Sequence, residues 1–554
     1  MSDRGDQLAV NILGINAVFH DPAAALVVDG VTVAAAEEER FSRRKHGKPA
    51  VPFSTWELPT AAMKWCLDQA GLQPADLDAV AYSYDPALAP RTDDLIADEW
   101  EGLRTLYARR APLFLQSALP GLRADCVRFV KHHLAHAASA ALAAPLEDPA
   151  VLVLDGRGEC HSHLAGATRD QVIEPLCAQA LPHSLGLMYE ELTEHLGFQR
   201  SSDEYKVMAL ASYAEPDFLN DFRRLITLDG DGGFTVAPIE WTSFAPAARS
   251  GELGDAHAAL AASVQTRLEE VVLGLARWLH DRTGARSLAM AGGVALNCVA
   301  NGRLAAEGPF DDIWVQPAAG DAGTALGSAL FVSREAGQRT TPMDTAALGR
   351  GWTEEDLARA LTIAAVGHHR ADDIADATAA VLAADGVVGW FQGRSEYGPR
   401  ALGHRSLLAS PAHPEMLTRL NDIKGREQFR PIAPLVLAER ASEIFDGVMP
   451  SPYMLFVHRV RPDWRDRIPA VVHVDGTARV QTVDRRDEPL LTRLLDRFEA
   501  RTGLPVLVNT SFNTAGRPMI DSPRDALECF GASPIDALAM GPFLVERASS
   551  RRAA

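Results

Sequence analysis

Apolar residues dominate positions 10–16, and the run predicts a buried β-strand. Residues 17–21 follow as a turn, 24–29 as a second strand, Gly30 as a hairpin turn and 31–36 as a third strand. The pattern returns at 150–156, an apolar strand ending in Asp-Gly. Residues 161–166 and the stretch from Val172 onward complete a second three-strand meander. Between 255 and 282 the period changes. Leu260, Val264, Leu268, Val271, Leu275 and Trp278 recur at helical spacing, and Gly284 stands where a left-handed cap ends such a helix. Such a stripe predicts a core-facing helix. Residues 287–297 run from strand through a Gly292-Gly293 turn into a helix, and 312–317 is a strand followed by the glycine-rich stretch 320–327.

Two strand-turn-strand units, each opening on an apolar strand, suggest an internal duplication of the kind found in the actin and sugar-kinase superfold. Residues 334–343 are polar and break the pattern, so a domain boundary is expected there or slightly later, giving domains 1–345 and 346–554. In the second domain Thr353 is placed to cap a helix reaching about Ile363, and 386–392 and 506–513 read as buried strands. The fold class is α/β throughout.

Composition narrows the functional classes. A chain of 554 residues that is 47% hydrophobic can bury a large core and suggests two or three domains. A net charge of -19 argues against a broad nucleic-acid surface, which needs clustered Lys and Arg. The six cysteines form no C-x-x-C pair, so neither a disulfide framework nor a thiolate metal site is expected, and the compartment reads as reducing. Residues 1–7 have no basic-then-apolar pattern, and no apolar run approaches the roughly 20 residues of a membrane span. A soluble, cytoplasmic protein is expected.

Candidate chemistry concentrates in a few places. His132 and His136 are four apart in an Ala-rich context, so a helix presents both on one face. Two imidazoles so placed make half of a metal site, and equally fit a pair of core or solvated histidines. Asp155 and Asp321 each end an apolar strand, where open α/β sheets bind ligands; a helix N-cap is the other role for such a carboxylate. Two His and two Asp suit iron, manganese or zinc. The glycine turns let a backbone approach a nucleotide, which makes Gly292, Gly293 and Asn297 candidate contacts. Stretches 393–406, 423–431 and 473–479 bring arginines and a lysine beside buried strands and tight turns, and imply a small polyanionic ligand.

Several motifs occur together in this order: Gly14-Ile15-Asn16 with His20-Asp21, the Glu37–Gly47 stretch, the two-histidine helix, the Gly-Gly-Val turn, Gly-Pro-Arg-Ala-Leu-Gly and Asn-Thr-Ser-Phe-Asn. Over nearly its whole length the chain resembles the O-carbamoyltransferases of nodulation-factor and antibiotic biosynthesis, the NodU/CmcH family that includes the tobramycin and cephamycin enzymes. The resemblance implies a duplicated actin-like (ASKHA) N-terminal domain and a YrdC-like α/β C-terminal domain. It implies that carbamoyl phosphate and ATP give carbamoyl adenylate in the second domain, and that an acceptor hydroxyl takes the carbamoyl group in the first. Carried over residue by residue, it implies iron(II) or another divalent transition metal on His132, His136, Asp155 and Asp321. Lys45, Arg400, Lys424, Arg430, Arg479, Asn509 and Ser511 match positions linked to carbamoyl phosphate or to ATP, with magnesium. His20 matches the position beside the acceptor hydroxyl, and Lys206 is a further candidate. His20, Lys45, Lys424 and Arg479 are the expected catalytic residues.

Other readings stay open at this level. A tRNA threonylcarbamoyl transferase shares both folds, although the acidic charge weighs against tRNA. A metallohydrolase built on the two histidines leaves the second domain's cations unexplained. A non-catalytic nucleotide-binding protein is a third class. The apolar Ala17-Val18-Phe19 before His20 suggests a neutral acceptor such as a macrolide, ansamycin or glycosylated polyketide. A homodimer is only the generic expectation.

Overall fold

The structure is a computed structural model describing residues 9–49, 51–89, 99–249, 252–447 and 450–547. The signal-peptide reading of residues 1–7 lies outside them. The chain divides into two compact units, Met1–Asp344 and Thr345–Ala554.

The first unit holds two five-stranded sheets. One contains β1 (Asn11–Asn16), β2 (Ala23–Val28), β3 (Val31–Glu37), β4 (Ala79–Tyr82) and β5 (Val127–Phe129) in the order β3-β2-β1-β4-β5. A short ribbon, β9 (Ile226–Leu228) with β10 (Phe234–Val236), interrupts the other in sequence. That second sheet contains β6 (Ala150–Leu154), β7 (His161–Arg169), β8 (Val172–Ala180), β11 (Ser287–Ala291) and β12 (Asp312–Val315) in the order β12-β11-β6-β7-β8. Read from the meander edge, the two orders are the same. Each sheet opens with an antiparallel meander, and its last two strands lie parallel to the first. This repeated topology is the actin-like duplication. β1 and β6 are buried along their whole length, which is why they read as unbroken apolar runs and not as alternating ones.

Helices His132–Ala141 and Ala322–Glu335 pack closely because small residues face each other. A Cβ on Gly327 would lie 1.8 Å from the Ala135 carbonyl oxygen, and one on Gly14 would lie 1.8 Å from that of Ala325. The Ala-rich composition thus serves close approach between elements as much as helix propensity. Helix Asp255–Thr283 runs along the second sheet and ends at Gly284, whose φ is 65°. Leu260, Val264, Leu268, Val271 and Leu275 are buried; Trp278 is half-buried, its ring against Gly232.

Residues 334–343 are less of a linker than their polarity suggests. Arg334 and Glu335 complete a helix, and the rest folds back on the first unit. Thr341 donates its N–H to Gly30 O at 3.1 Å, the Thr340 hydroxyl donates to Leu142 O at 3.2 Å, and Met343 N–H donates to Ala143 O at 2.8 Å.

The second unit is a mixed α/β domain with its own core around Trp390, Phe391, Leu407, Val436, Phe498 and Leu538. Its strands are β13 (His369–Arg370), β14 (Val388–Phe391), β15 (Arg405–Ala409), β16 (Ala433–Leu437), β17 (Phe445–Asp446), β18 (His458–Val460), β19 (Thr477–Ala478), β20 (Gln481–Val483), β21 (Val506–Ser511), β22 (Ala537–Met540) and β23 (Phe543–Glu546). Eight form one sheet, β13-β23-β22-β14-β15-β21-β16-β20, and β17-β18-β19 form a small second one. Thr353 caps helix Glu354–Ile363 by accepting Asp356 N–H at 3.2 Å. β14 and β21 end, and β15, β16 and β20 begin, at the same sheet edge. The loops of that edge carry the cationic stretches. All six cysteines are free thiols. No helix among the described residues is long and apolar enough to cross a membrane.

Candidate active site

His132 and His136 stand one turn apart on their helix, which follows β5. Asp155 follows the C-terminal end of β6, and Asp321 precedes the helix after β12. All four are buried, with donor atoms within 4.8 Å of one another. His132 Nε2 lies 3.4 Å from Asp155 Oδ2 and 3.5 Å from Asp321 Oδ1; His136 Nε2 lies 3.7 and 3.6 Å from the same oxygens. These separations are longer than N–H···O hydrogen bonds. They match donors sharing one cation, since ligands about 2.1 Å from an ion at tetrahedral angles sit roughly 3.4 Å apart. Nε2 of both histidines and Oδ2 of Asp321 have no hydrogen-bond partner. Orphaned buried polar atoms of this kind call for an explanation, and a divalent cation fits the donor set. His132 Nδ1 lies 3.1 Å from Ser83 O, which accepts its proton, so that Nε2 would present its lone pair to a cation bound in the cradle. Asp155 Oδ1 accepts Gly293 N–H at 2.9 Å. Neither aspartate acts as an N-cap: Asp321 makes no capping bond, and Asp155 is held by the glycine turn. Burial opposes charge on these groups, yet mutual attraction holds both carboxylates below their usual range and lifts His132 above its own. His133 is pushed well below its ordinary value by burial and by His132 and His136.

His20 reaches this cradle from the turn after β1, its Nε2 3.9 Å from Asp321 Oδ2. Burial lowers its pKa, but Asp321 and then Asp21 override that and raise it to about 10. Asp21 Oδ2 pairs with His20 Nδ1 at 2.9 Å, and its Oδ1 pairs with His46 Nδ1 at 2.8 Å. His46 Nε2 is 2.8 Å from Ser202 Oγ, to which Lys45 Nζ donates at 3.0 Å. Asn16 fixes the turn by donating Nδ2–H to the carbonyls of His20 and Asp21. Residues 17–19 are not an open apolar wall: Ala17 and Val18 are fully buried, and Phe19 packs edge-on against His132 and Tyr84. Lys206 pairs with Asp203 at 3.1 Å and lies over Phe198.

In the second unit Lys424 ends helix Glu415–Lys424 and donates to Ser511 O at 2.5 Å, Ser511 Oγ at 2.9 Å and Asn513 Oδ1 at 2.5 Å. Burial, then Arg426 and Arg430, push it well below the usual ammonium range. Asn509 Nδ2 donates to Ala401 O at 3.2 Å and Gln481 Oε1 at 2.6 Å, tying the Arg400 loop to the strand after Arg479. Arg400, Arg430 and Arg479 are half-buried at this edge. Glu396, which pattern reading did not single out, is buried; its Oε1 accepts the N–H groups of Leu402, His404 and Arg405 at 2.7, 3.0 and 3.2 Å and shapes the loop. Arg400, Lys424, Arg430, Arg479, Asn509 and Ser511 belong to this unit; Lys45 belongs to the first.

The glycine turns have structural occupations. Gly292 has φ 92°, and a Cβ there would lie 2.2 Å from Leu154 O. Gly293 spends its N–H on Asp155, while Gly323 and Gly327 permit close packing. Asn297 caps helix Cys298–Glu307 and exchanges hydrogen bonds with Gln265. Asp21, His46 and Ser202 were not chosen from the pattern, because nothing periodic links Ser202 to a histidine 156 residues away.

The first unit is thus a duplicated actin-like fold with four clustered His and Asp donors, and the second is an α/β fold with a cationic sheet edge, a pairing that suits an enzyme handling a small phosphorylated substrate. The chain matches the family models "Carbamoyltransferase N-terminus" over residues 11–330 and "Carbamoyltransferase C-terminus" over 379–547. It belongs to the carbamoyltransferase family. It is 38% identical to uncharacterized protein sll1178 of Synechocystis sp., covering 97% of each chain. It is 39% identical to nodulation protein NolNO of Sinorhizobium fredii, covering 96% of this chain and 80% of that one. The solved structure of T. kodakarensis HypF is similar over 60% of this chain and 48% of that one, at 15% identity and a TM-score of 0.39.

Proposed function

We propose that this carbamoyltransferase is an ATP-dependent O-carbamoyltransferase working in two stages. In the second unit, carbamoyl phosphate loses its phosphate to water, and the carbamate attacks ATP to give carbamoyl adenylate and pyrophosphate. Carbamate is a poor electrophile, and adenylation supplies a good leaving group. Lys424, Arg400, Arg430 and Arg479 bind the phosphates and offset charge developing on their oxygens. Asn509 and Glu396 hold the Arg400 loop in place.

In the first unit an acceptor hydroxyl attacks the carbamoyl carbon and AMP leaves. A cation in the cradle would offset the Asp321 charge that raises His20, leaving the imidazole able to take the hydroxyl proton, and Asp21 on its other nitrogen orients the ring. His132, His136, Asp155 and Asp321 would hold a divalent transition metal, iron(II) being the family expectation, and a cation bound there would supply Lewis-acid polarisation of the carbamoyl carbonyl. The observation that carries this reading is His20 standing 3.9 Å from Asp321, an imidazole at the wall of a cradle of four metal-ligating side chains. The acceptor is proposed only as a hydroxyl compound, because the side chains behind the neutral-polyketide expectation are buried.

Incubation with ferrous iron, magnesium, ATP and labelled carbamoyl phosphate is expected to release AMP faster when a hydroxylated acceptor is added. His20→Ala should abolish carbamoyl transfer and spare pyrophosphate formation, and Lys424→Ala should abolish pyrophosphate formation. AMP release indifferent to carbamoyl phosphate would overturn the adenylate scheme.

A further inference from the structure

Asp21, which the scheme above uses only to orient His20, also belongs to a second arrangement in the first unit. Asp21 Oδ1 lies 2.8 Å from His46 Nδ1, and His46 Nε2 lies 2.8 Å from Ser202 Oγ. A carboxylate, an imidazole and a hydroxyl in this sequence and at these separations meet the geometric test for a nucleophile-base-orienter array. The proton assignment is also consistent. Lys45 donates to Ser202 Oγ at 3.0 Å, so the hydroxyl is left to donate its own hydrogen to His46 Nε2, while His46 Nδ1–H goes to Asp21. Three residues of the array or next to it sit in the left-handed region without being glycine: Asp21 at φ 47°, His46 at 61° and Ser201 at 56°. Such backbone is held only where its surroundings over-determine it. The side chains of His46 and Asp21 are 22% and 28% exposed and Ser202 is 9% exposed, so the array is not sealed from solvent.

We propose that Ser202, activated by His46 and Asp21, is a second reactive centre that accepts activated acyl groups covalently. Ser202 Oγ attacks the carbonyl carbon of an activated ester or carbamoyl donor, and its proton passes to His46 Nε2. The tetrahedral oxygen forms beside the Lys45 ammonium, which offsets its charge. Collapse breaks the bond to the leaving group, which departs with the proton from His46. Water then attacks the acyl-serine with the same proton transfers, releasing the acid and restoring the hydroxyl. The array therefore confers a slow hydrolase activity toward activated acyl compounds, which needs neither ATP nor carbamoyl phosphate.

The test uses the full chain and two probes, a fluorophosphonate and p-nitrophenyl acetate. Peptide mass mapping is expected to place a single phosphonyl adduct on Ser202, and p-nitrophenol release to show an initial burst. Ser202→Ala should lose the adduct and the burst, and His46→Gln should slow labelling by about 100-fold. Ser202→Cys distinguishes reactivity from misfolding: it should regain acylation as a thioester that hydroxylamine cleaves. An unlabelled Ser202 in wild type, or a burst surviving in Ser202→Ala, overturns the proposal. Either result leaves the carbamoyl-transfer scheme standing, since that scheme is read from AMP release.

Discussion

The two ring nitrogens of His132 meet different partners, and that asymmetry fits a ligand better than a core histidine. Nδ1 is spent on Ser83 O, and Nε2 is left facing two carboxylates. His132→Ala and Asp321→Asn should each lower bound transition metal, by elemental analysis, by more than the roughly 10–100-fold known for outer partners. Full occupancy in both would place the metal elsewhere. Glu204 supplies a pH signature. Burial, then Glu190, raises its carboxyl from 4.5 to about 7. The folded chain therefore binds the extra proton between those values, so its contribution to stability is full below 4.5 and is lost as pH rises through 7. Denaturant titrations should show stability declining by a few kcal/mol across that window through this group, and Glu204→Gln should flatten the decline. The His132/His136 pair was legible from spacing and Asp155 from its strand end, whereas Asp321 stands past the end of β12, at the head of the next helix. The convergence of the four was not legible, because 189 residues separate His132 from Asp321 in the chain.

Elements were legible where one period ran unbroken. The meanders, helix Asp255–Thr283 and the Thr353 cap all follow from apolar spacing and cap chemistry. Glycines are ambiguous in sequence for a physical reason: a backbone needs the same absent Cβ to approach a phosphate as to approach another helix. At 320–327 the second use holds, with Gly327 pressed on Ala135 O at 1.8 Å from where a Cβ would stand. Gly327→Ala should force apart the two helices that position His132, His136 and Asp321. We expect a loss of roughly 1–3 kcal/mol, seen as a melting temperature lowered by several degrees, together with reduced metal content. An unchanged melting temperature would show that the helices have room to separate.

At the scale of the molecule, each unit closes its own core, and the proposed scheme gives each its own ligands. Calorimetry should resolve two transitions and not one. Chelation should lower only the transition of the metal-bearing unit, and ATP should raise the other by mass action. A single transition shifted equally by both reagents would contradict this. The sequence by itself determined the class of fold, the duplication and the chemical types at each strand end, because these follow from local periodicity and from which side chains a turn can hold. Only the tertiary structure decided which of those side chains meet. It put four donors around one buried point, occupied the glycine turns with packing, and threaded Asp21 between His20 and His46. Those outcomes depend on parallel strands distant in the chain ending at a common edge, and no local pattern encodes that.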